Sequence, residues 1–166
     1  FLSRGAKVSS GVPAFLLGES EQPANRLEFA RWLVNGKNPL VARVVVNRFW
    51  QGYFAHGLVR TPVDFGLQGE APTHPELLDW LACEFVASGW NMKAMHRLIV
   101  TSATYRQSAR LPSHAAALDP QNRLLGWMPR VRLPAEQIRD QALAVAGLLQ
   151  LAGSGHSFFP PQPENY

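Results

Sequence analysis

The segment from residue 39 to residue 54, PLVARVVVNRFWQGYF, constrains the fold more than any other part of the chain. Its valines favour a strand, because β-branched residues pack well on a pleated surface, so residues 41–46 have two interpretations. We predict a helix, because apolar residues recur at helical spacing along the whole segment. The face that they form contains Ala42, Val46, Phe49, Trp50 and Tyr53. Valines on the other side make this helix apolar nearly all round, which is typical of a helix in the middle of a bundle.

Four polar side chains interrupt these apolar helical faces. Arg43, Asn47 and Arg48 belong to the central helix, and Arg106 falls on the apolar face of a later one. A buried arginine must be paired, since breaking a buried ion pair costs roughly 3–5 kcal/mol. The carboxylates available as partners are Asp64, Glu76 and Asp79. We therefore expect at least two of the three arginines to be largely buried, and Arg48→Ala to destabilise the domain by about 2–4 kcal/mol.

Two interpretations of this polar group are open. In the first, which we favour, it is a buried ion-pair network that fixes the register of the helices. In the second, it is the anion pocket of an enzyme or binding site, because guanidinium groups bind carboxylates and phosphates through two parallel hydrogen bonds. The candidate ligand-binding residues are Arg43, Asn47, Arg48, Asp64, His74, Glu76 and Arg106.

Helix-start signals recur along the rest of the chain. Asn25 precedes RLEFARWLVN and has Glu28 three residues later, which is the spacing of a capping box. Thr73 and Glu76 have the same spacing at the start of PELLDWLACEFVA. Asn91 has the position of an N-cap for the helix MKAMHRLIVTSATYRQS. These signals predict three further helices.

The last predicted helix, AEQIRDQALAVAGLLQ, follows Pro134. Its apolar stripe contains Ile138, Ala142, Val145 and Leu149. The complete pattern predicts an all-α fold, an irregular helical bundle with long ordered loops around the central buried helix. We expect an irregular leader over residues 1–24, a helical domain over residues 25–150 and a tail rich in proline and glycine over residues 151–166.

The composition excludes several classes of site. Cys83 is the only cysteine, so the chain can form no internal disulfide, no cysteine-cluster zinc site and no CxxCH haem attachment. No apolar run reaches the roughly 20 residues that span a bilayer. A net charge of +4 over 166 residues is too small to indicate a nucleic-acid partner by itself.

The histidines give only weak signals for a metal. His74 and Glu76 form a His-x-Glu pair, but the PCxxC sequence of the zinc deaminases is absent. His56, His74 and His96 are far apart in the chain, and we favour packing roles for them. We therefore expect no metal and no cofactor in this chain. The sequence has no nucleophile elbow, phosphate-binding loop or dinucleotide fingerprint, and it leaves open whether the chain is an enzyme.

A nucleic-acid-binding module is the alternative for residues 75–108, which have the outline of a helix-turn-helix. Lys93, Arg97 and Thr104 would line the exposed face of its second helix. The preceding helix carries the acids Glu76, Asp79 and Glu84, which would repel phosphates. We therefore expect no nucleic-acid partner.

Several long motifs occur in a fixed order along the chain. They are NPLVARVVVNRFW, GLVRTPVDFG, PTHPELLDWLACEFVASGW, YRQS, RLPAEQIRDQALAVAGLL and FPPQPE. Over roughly residues 25–164 they resemble the planctomycete-specific domain of unknown function DUF1553. The resemblance implies an exported bacterial parent protein, extracytoplasmic localisation and, in many members, a separate c-type cytochrome domain that carries the haem. It does not imply an activity.

On this resemblance we expect an accessory or interaction module whose partners are other domains of the same polypeptide or another protein. One departure is Ala55–His56, where the family pattern usually reads Gly-Arg, so any ligand contact made by that arginine is in doubt. The family pattern also continues past residue 166. We therefore expect exposed apolar surface at Trp127, Leu148, Phe158 and Phe159.

Overall fold

The structure, a computed structural model, describes residue 5 and residues 11–13, 22–36, 38–110 and 117–151. The five helices in these ranges are α1 (Arg26–Val34), α2 (Val41–Phe54), α3 (Pro75–Ala87), α4 (Met92–Thr101) and α5 (Ala135–Val145). The described residues contain no strand, so the predicted all-α fold is confirmed. The chain divides into two compact units, residues 1–131 and 132–166, and α5 is the helix described in the second.

The central helix is confirmed, and the strand interpretation of residues 41–46 is wrong. In α2, Ala42, Val46, Trp50 and Phe54 are buried and form one face of the core. The core side chains on the other elements are Leu58, Val59, Leu78, Leu81, Ala82, Phe85, Met95 and Ile99. Each large apolar side chain buried in this way stabilises the fold by roughly 1.5–3 kcal/mol, which outweighs the strand propensity of the valines.

Two of the predicted helix starts are confirmed by side-chain hydrogen bonds. The Oδ1 of Asn25 accepts from the backbone N–H of Glu28 at 3.0 Å, while a carboxylate oxygen of Glu28 accepts from the backbone N–H of Ala24 at 2.7 Å. The Oδ1 of Asn91 accepts from the backbone N–H of Ala94 at 3.0 Å. Each bond satisfies a backbone donor that has no partner within its own helix.

The predicted capping box of α3 is wrong. His74 occupies the N-cap position and makes no capping bond with its side chain, and Pro75 opens the helix. The Thr73 hydroxyl donates instead to the carbonyl oxygen of Leu58 at 3.3 Å, and the Thr73 N–H donates to the same oxygen at 2.8 Å. Thr73 therefore ties the preceding loop to the core.

The loop before α3 is ordered by its own hydrogen bonds, as predicted. The Thr61 hydroxyl donates to the carbonyl oxygen of Asp64 at 2.8 Å and accepts from the N–H of Glu70 at 3.0 Å. The Gly66 N–H donates to Oδ1 of Asp64 at 2.8 Å. At Gly69 an added Cβ would lie 2.2 Å from the carbonyl oxygen of Asp64, so the loop closes through a contact that only glycine permits.

The apolar stripe predicted on α5 does not form part of a core. None of the residues of α5 is buried, and Ile138 and Val145 are 51% and 86% exposed. The helical period is real, but periodicity records only which residues share a face.

Of the residues expected to expose apolar surface, Leu148 is exposed and Trp127 is half-buried, while Phe158 and Phe159 are outside the described residues. Among the described helices, none has the length and apolar content needed to cross a lipid bilayer.

Candidate functional site

The arginine group predicted from the sequence does not form a buried cluster. Arg43 pairs with Asp79, with 2.6 Å between Nε and Oδ1, and it also donates to the carbonyl oxygen of Pro39. The two side chains of the pair are 31% and 52% exposed. The hydrogen bond to Asp79 raises the pKa of Arg43, and the same bond lowers the pKa of Asp79. An ion pair this exposed stabilises the fold by at most about 1 kcal/mol.

The prediction that at least two of the arginines are largely buried is wrong. Arg48 and Arg106 are exposed, and Nε of Arg106 donates at 3.4 Å to the carbonyl oxygen of Ser102, one turn earlier in the chain. The groove of about 420 Å³ that Arg43 and Asp79 line contains neither of them. Arg48 is one residue, and thus 100° of helix rotation, away from the fully buried Asn47.

Asn47 is the member of the group that is fully buried, and its role is structural. Its Nδ2 donates to the carbonyl oxygen of Val59 at 2.9 Å, and its Oδ1 accepts from the Val59 N–H at 2.8 Å. The side chain thereby satisfies both backbone groups of a core residue that lies outside any helix. Gly57 lies directly over this amide, because an added Cβ would be 2.5 Å from Nδ2.

Two of the remaining predicted site residues, Asp64 and His74, have local partners. Asp64 caps its own loop, and Nδ1 of His74 is 3.0 Å from the Thr73 hydroxyl. Glu76 is exposed in the first turn of α3, where a negative charge is favourable. Nδ1 of His96 is 3.0 Å from the Tyr53 hydroxyl, and burial, followed by the nearby Tyr105, raises the pKa of Tyr53. The described residues contain no group of three or more His, Cys, Asp or Glu that could hold a metal ion.

A surface groove between α3 and α4 is the feature that the sequence analysis missed. It has a volume of about 290 Å³. Its lining residues are Trp50, Leu77, Trp80, Leu81, Leu98, Ile99, Thr101, Ser102 and Thr104. The floor consists of core side chains such as Leu81 and Ile99, which are buried, whereas Trp80 and Leu98 are 49% and 36% exposed. The groove therefore presents an apolar surface to solvent, with a half-exposed tryptophan on one side.

The helical period explains why α3 has two apolar faces. Leu78, Ala82 and Phe85 point into the core, while Leu77, Trp80, Leu81 and Glu84 have the i, i+3, i+4, i+7 spacing of a second face. Leu81 belongs to both. The apolar residues of α3 cover more of the helix circumference than one contact surface can bury, and this width could have indicated the groove. The sequence does not show which of these apolar residues remain uncovered.

Charges are unevenly distributed on the two sides of this groove. Glu76 and Glu84 are exposed on α3, and Glu84 shares the groove face of that helix. On α4, Lys93, Arg97 and Thr101 are exposed, as a helix-turn-helix would require, but Thr104 is half-buried and the acids of α3 lie in the same helix pair.

The absence of DNA affinity stays a prediction. Fluorescence anisotropy with a mixed-sequence duplex at physiological salt tests it, and sub-micromolar, salt-sensitive binding lost in Lys93→Glu with Arg97→Glu would contradict it.

Comparison with known proteins identifies a family. The family model described as PSD1, protein of unknown function (DUF1553), matches residues 25–166. No curated protein and no solved structure matches the chain. The matched range includes all five described helices.

Proposed function

The chain belongs to the PSD1 family of proteins of unknown function (DUF1553), and we propose that it is a protein-interaction module that docks a partner helix in the groove between α3 and α4. The observation that carries this proposal is the half-exposed Trp80 beside an apolar floor. Tryptophan is among the residues most often found at the energetic centre of protein interfaces. Covering its exposed half removes on the order of 100 Å² of apolar surface, which favours binding by about 2–3 kcal/mol.

An amphipathic helix is the partner that suits the shape and charge of this groove. An apolar stripe with residues at i, i+3, i+4 and i+7 matches a groove between two helices. Glu84 on the groove face and Glu76 beside Trp80 favour lysine or arginine on the side of the stripe that faces α3. The partner is thus an amphipathic helix with basic residues along that side, supplied by another domain of the parent polypeptide or by a separate protein.

The parent protein is, in this proposal, an exported bacterial protein in which a separate domain carries a c-type haem. The support for this part is the resemblance of the motifs to the family, whose members often carry such a domain. Export places the module outside the cytoplasm, where its partner must also be found. Haem staining of the purified full-length parent, with and without its CxxCH cysteines, tests whether the haem is present.

Binding of designed helical peptides tests the docking proposal. Two labelled peptides share one leucine stripe and differ only in lysine or glutamate at the flanking positions. We expect the lysine peptide to bind more tightly, Trp80→Ala to weaken its binding by at least about tenfold, and Glu84→Lys to reverse the peptide preference. Leu67→Ala, which truncates a fully exposed leucine outside the groove, is the matched control. Equal binding by Trp80→Ala and Leu67→Ala would contradict docking in this groove.

A further inference from the structure

A second concave site is a partly open cavity of about 40 Å³. Its lining residues are Trp50, Phe54, His56, Gly57, Leu58, Arg60, Thr73, Gln121, Asn122, Arg123, Leu125 and Pro129. None of the candidate ligand-binding residues predicted from the sequence belongs to it. The cavity joins the loop that follows α2 to a segment more than 60 residues later in the chain, so only the folded structure brings its walls together.

The charge of the lining has one sign. Arg60, Arg123 and His56 contribute cationic or potentially cationic groups, and none of the described residues that line the cavity is an aspartate or a glutamate. Trp50, Phe54 and Leu58, all buried, form an apolar floor. A guanidinium beside such a floor interacts more strongly with an anion than it would in water, because the local dielectric constant is lower.

Nearby acids leave part of this positive charge uncompensated. Nη1 of Arg123 is 3.2 Å from Oε2 of Glu70, but both side chains are nearly half exposed. Asp119 is held by the backbone N–H groups of Leu124 and Arg123 at 2.7 and 2.9 Å. These hydrogen bonds, led by the one from Leu124, lower the pKa of Asp119, with smaller contributions from the charges of Arg123 and Arg60. Arg60 is thus close enough for its charge to act on Asp119, and it makes no hydrogen bond to another residue in the described part of the chain.

We propose that this cavity binds a single carboxylate group, held by Arg60 and Arg123. The guanidinium fork matches the two oxygens of a carboxylate, and the side-chain amide of Gln121 supplies a further donor. One water needs roughly 10–15 Å³ of such volume, so the cavity has room for a group of two or three heavy atoms, which is the size of a carboxylate. The carboxylate belongs to a small organic acid or to the end of a polypeptide.

Calorimetric titration with propionate, and with its neutral isostere propionamide, tests this site at constant ionic strength. We expect millimolar binding of propionate and none of propionamide, because the two differ in charge and hardly in shape. Arg60→Gln weakens propionate binding by at least tenfold, and Arg123→Gln does the same. Arg48→Gln, which removes an exposed arginine outside the cavity, leaves it unchanged. His56→Arg, which adds a fixed charge to the lining, strengthens it.

A second arm of the experiment distinguishes the two sources of the carboxylate. A short peptide with a free C-terminal carboxylate is compared with the same peptide amidated at its C-terminus. Tighter binding of the free peptide than of propionate identifies a polypeptide terminus as the ligand, and equal binding identifies a small acid. Propionamide binding as well as propionate, or an unchanged affinity in both Arg60→Gln and Arg123→Gln, overturns the proposal. Circular dichroism of each variant confirms that its fold is intact.

Discussion

The helices α2 and α5 both have an apolar stripe at helical spacing, but their environments differ. On α2, Val46 and Asn47 are completely inaccessible to solvent, and one face of the helix packs against core side chains. On α5, every side chain is at least partly exposed, including Ile138 in its predicted stripe. An apolar period therefore predicts the helix in both places, and the apolar residues around most of α2 also predict that it is buried. Burial of a single stripe such as that of α5 depends on whether another element covers it, which is information that the local sequence does not contain.

The difference between the two helices should appear first as a difference in the effect of truncating an apolar side chain. Phe54→Ala, on the buried face of α2, should destabilise the chain by about 3–5 kcal/mol, because it removes buried surface and leaves a cavity. Ile138→Ala on α5 should change stability by less than about 0.5 kcal/mol. Urea unfolding midpoints measure both changes. Comparable losses in the two variants would show that the stripe of α5 is covered in solution.

A second comparison uses two neighbouring polar residues on α2. Asn47→Ala should cost about 3 kcal/mol, because the N–H and the carbonyl oxygen of Val59 both lose their buried partner. Arg48→Ala should change stability by less than about 0.5 kcal/mol, since the side chain is exposed. This is the reverse of what the sequence predicted for Arg48. The same urea titration tests it, and an Arg48→Ala loss as large as that of Asn47→Ala would restore the buried-pair interpretation.

Two glycines sharpen the contrast between packed and open positions around the same helix. Gly57→Ala should destabilise the chain by about 2 kcal/mol, because its Cβ would overlap the Asn47 amide and the carbonyl oxygen of Val59. Gly52→Ala, within α2 and with nothing within 4 Å of the added methyl, should stabilise it by about 0.5–1 kcal/mol. Thermal unfolding of the two variants should shift in opposite directions, and a shift of the same sign in both would contradict the described packing.

Relieving backbone strain at the end of α2 should give a smaller increase in the free energy of unfolding. Ala55 has φ of 66°, a region that costs a residue with a Cβ roughly 1–2 kcal/mol. Ala55→Gly should therefore stabilise the chain by about 1 kcal/mol, and this position is where the family pattern usually has glycine. A differential scanning calorimetry comparison with Ala87→Gly, which introduces glycine at the exposed end of α3, should show stabilisation in the first variant alone.

The smallest effect is expected for the exposed ion pair between Arg43 and Asp79. The folded-state pKa of Asp79 is lowered, so the pair adds stability above the unfolded pKa of about 3.9 and loses it as pH falls through the folded value. Asp79→Asn should cost less than about 1 kcal/mol at pH 7 and less again at pH 2, because protonation of Asp79 weakens the pair. Urea midpoints of the variant and the parent chain at the two pH values measure this. A loss that is as large at pH 2 as at pH 7 would assign the effect to packing.

The parts of the fold that the sequence predicted correctly depend on residues close together in the chain. The cap of Asn91 and the box of Asn25 and Glu28 involve neighbours three residues apart, and the helical face of α2 involves neighbours three or four apart. The errors at Thr73 and Arg48 have the opposite origin. The partner of Thr73 is Leu58, fifteen residues earlier, and the exposure of Arg48 is set by what packs around α2.

The candidate sites show the same limit. Trp80 could have indicated an exposed apolar surface, because α3 has more apolar residues than one core face can bury. Its half-exposed position, however, depends on the orientation of α3 against α2 and α4. The carboxylate cavity had no sequence signal, since Arg60 and Arg123 belong to segments that look like loops. The carboxylate cavity thus lies where distant segments meet, and the polar residues singled out from the sequence serve mainly to hold the fold.

Amide hydrogen exchange of the 166-residue chain, followed residue by residue by NMR, tests most directly whether burial separates α2 from α5. We predict that the amides of Val46, Asn47 and Trp50 exchange only through global unfolding, because they lie in the core. The amides of α5 should exchange with little protection, because a helix of 11 residues without a buried face is marginal in water. Equal protection of the two helices would contradict the assignment of α5 as an uncovered helix and require a packing surface over Ile138.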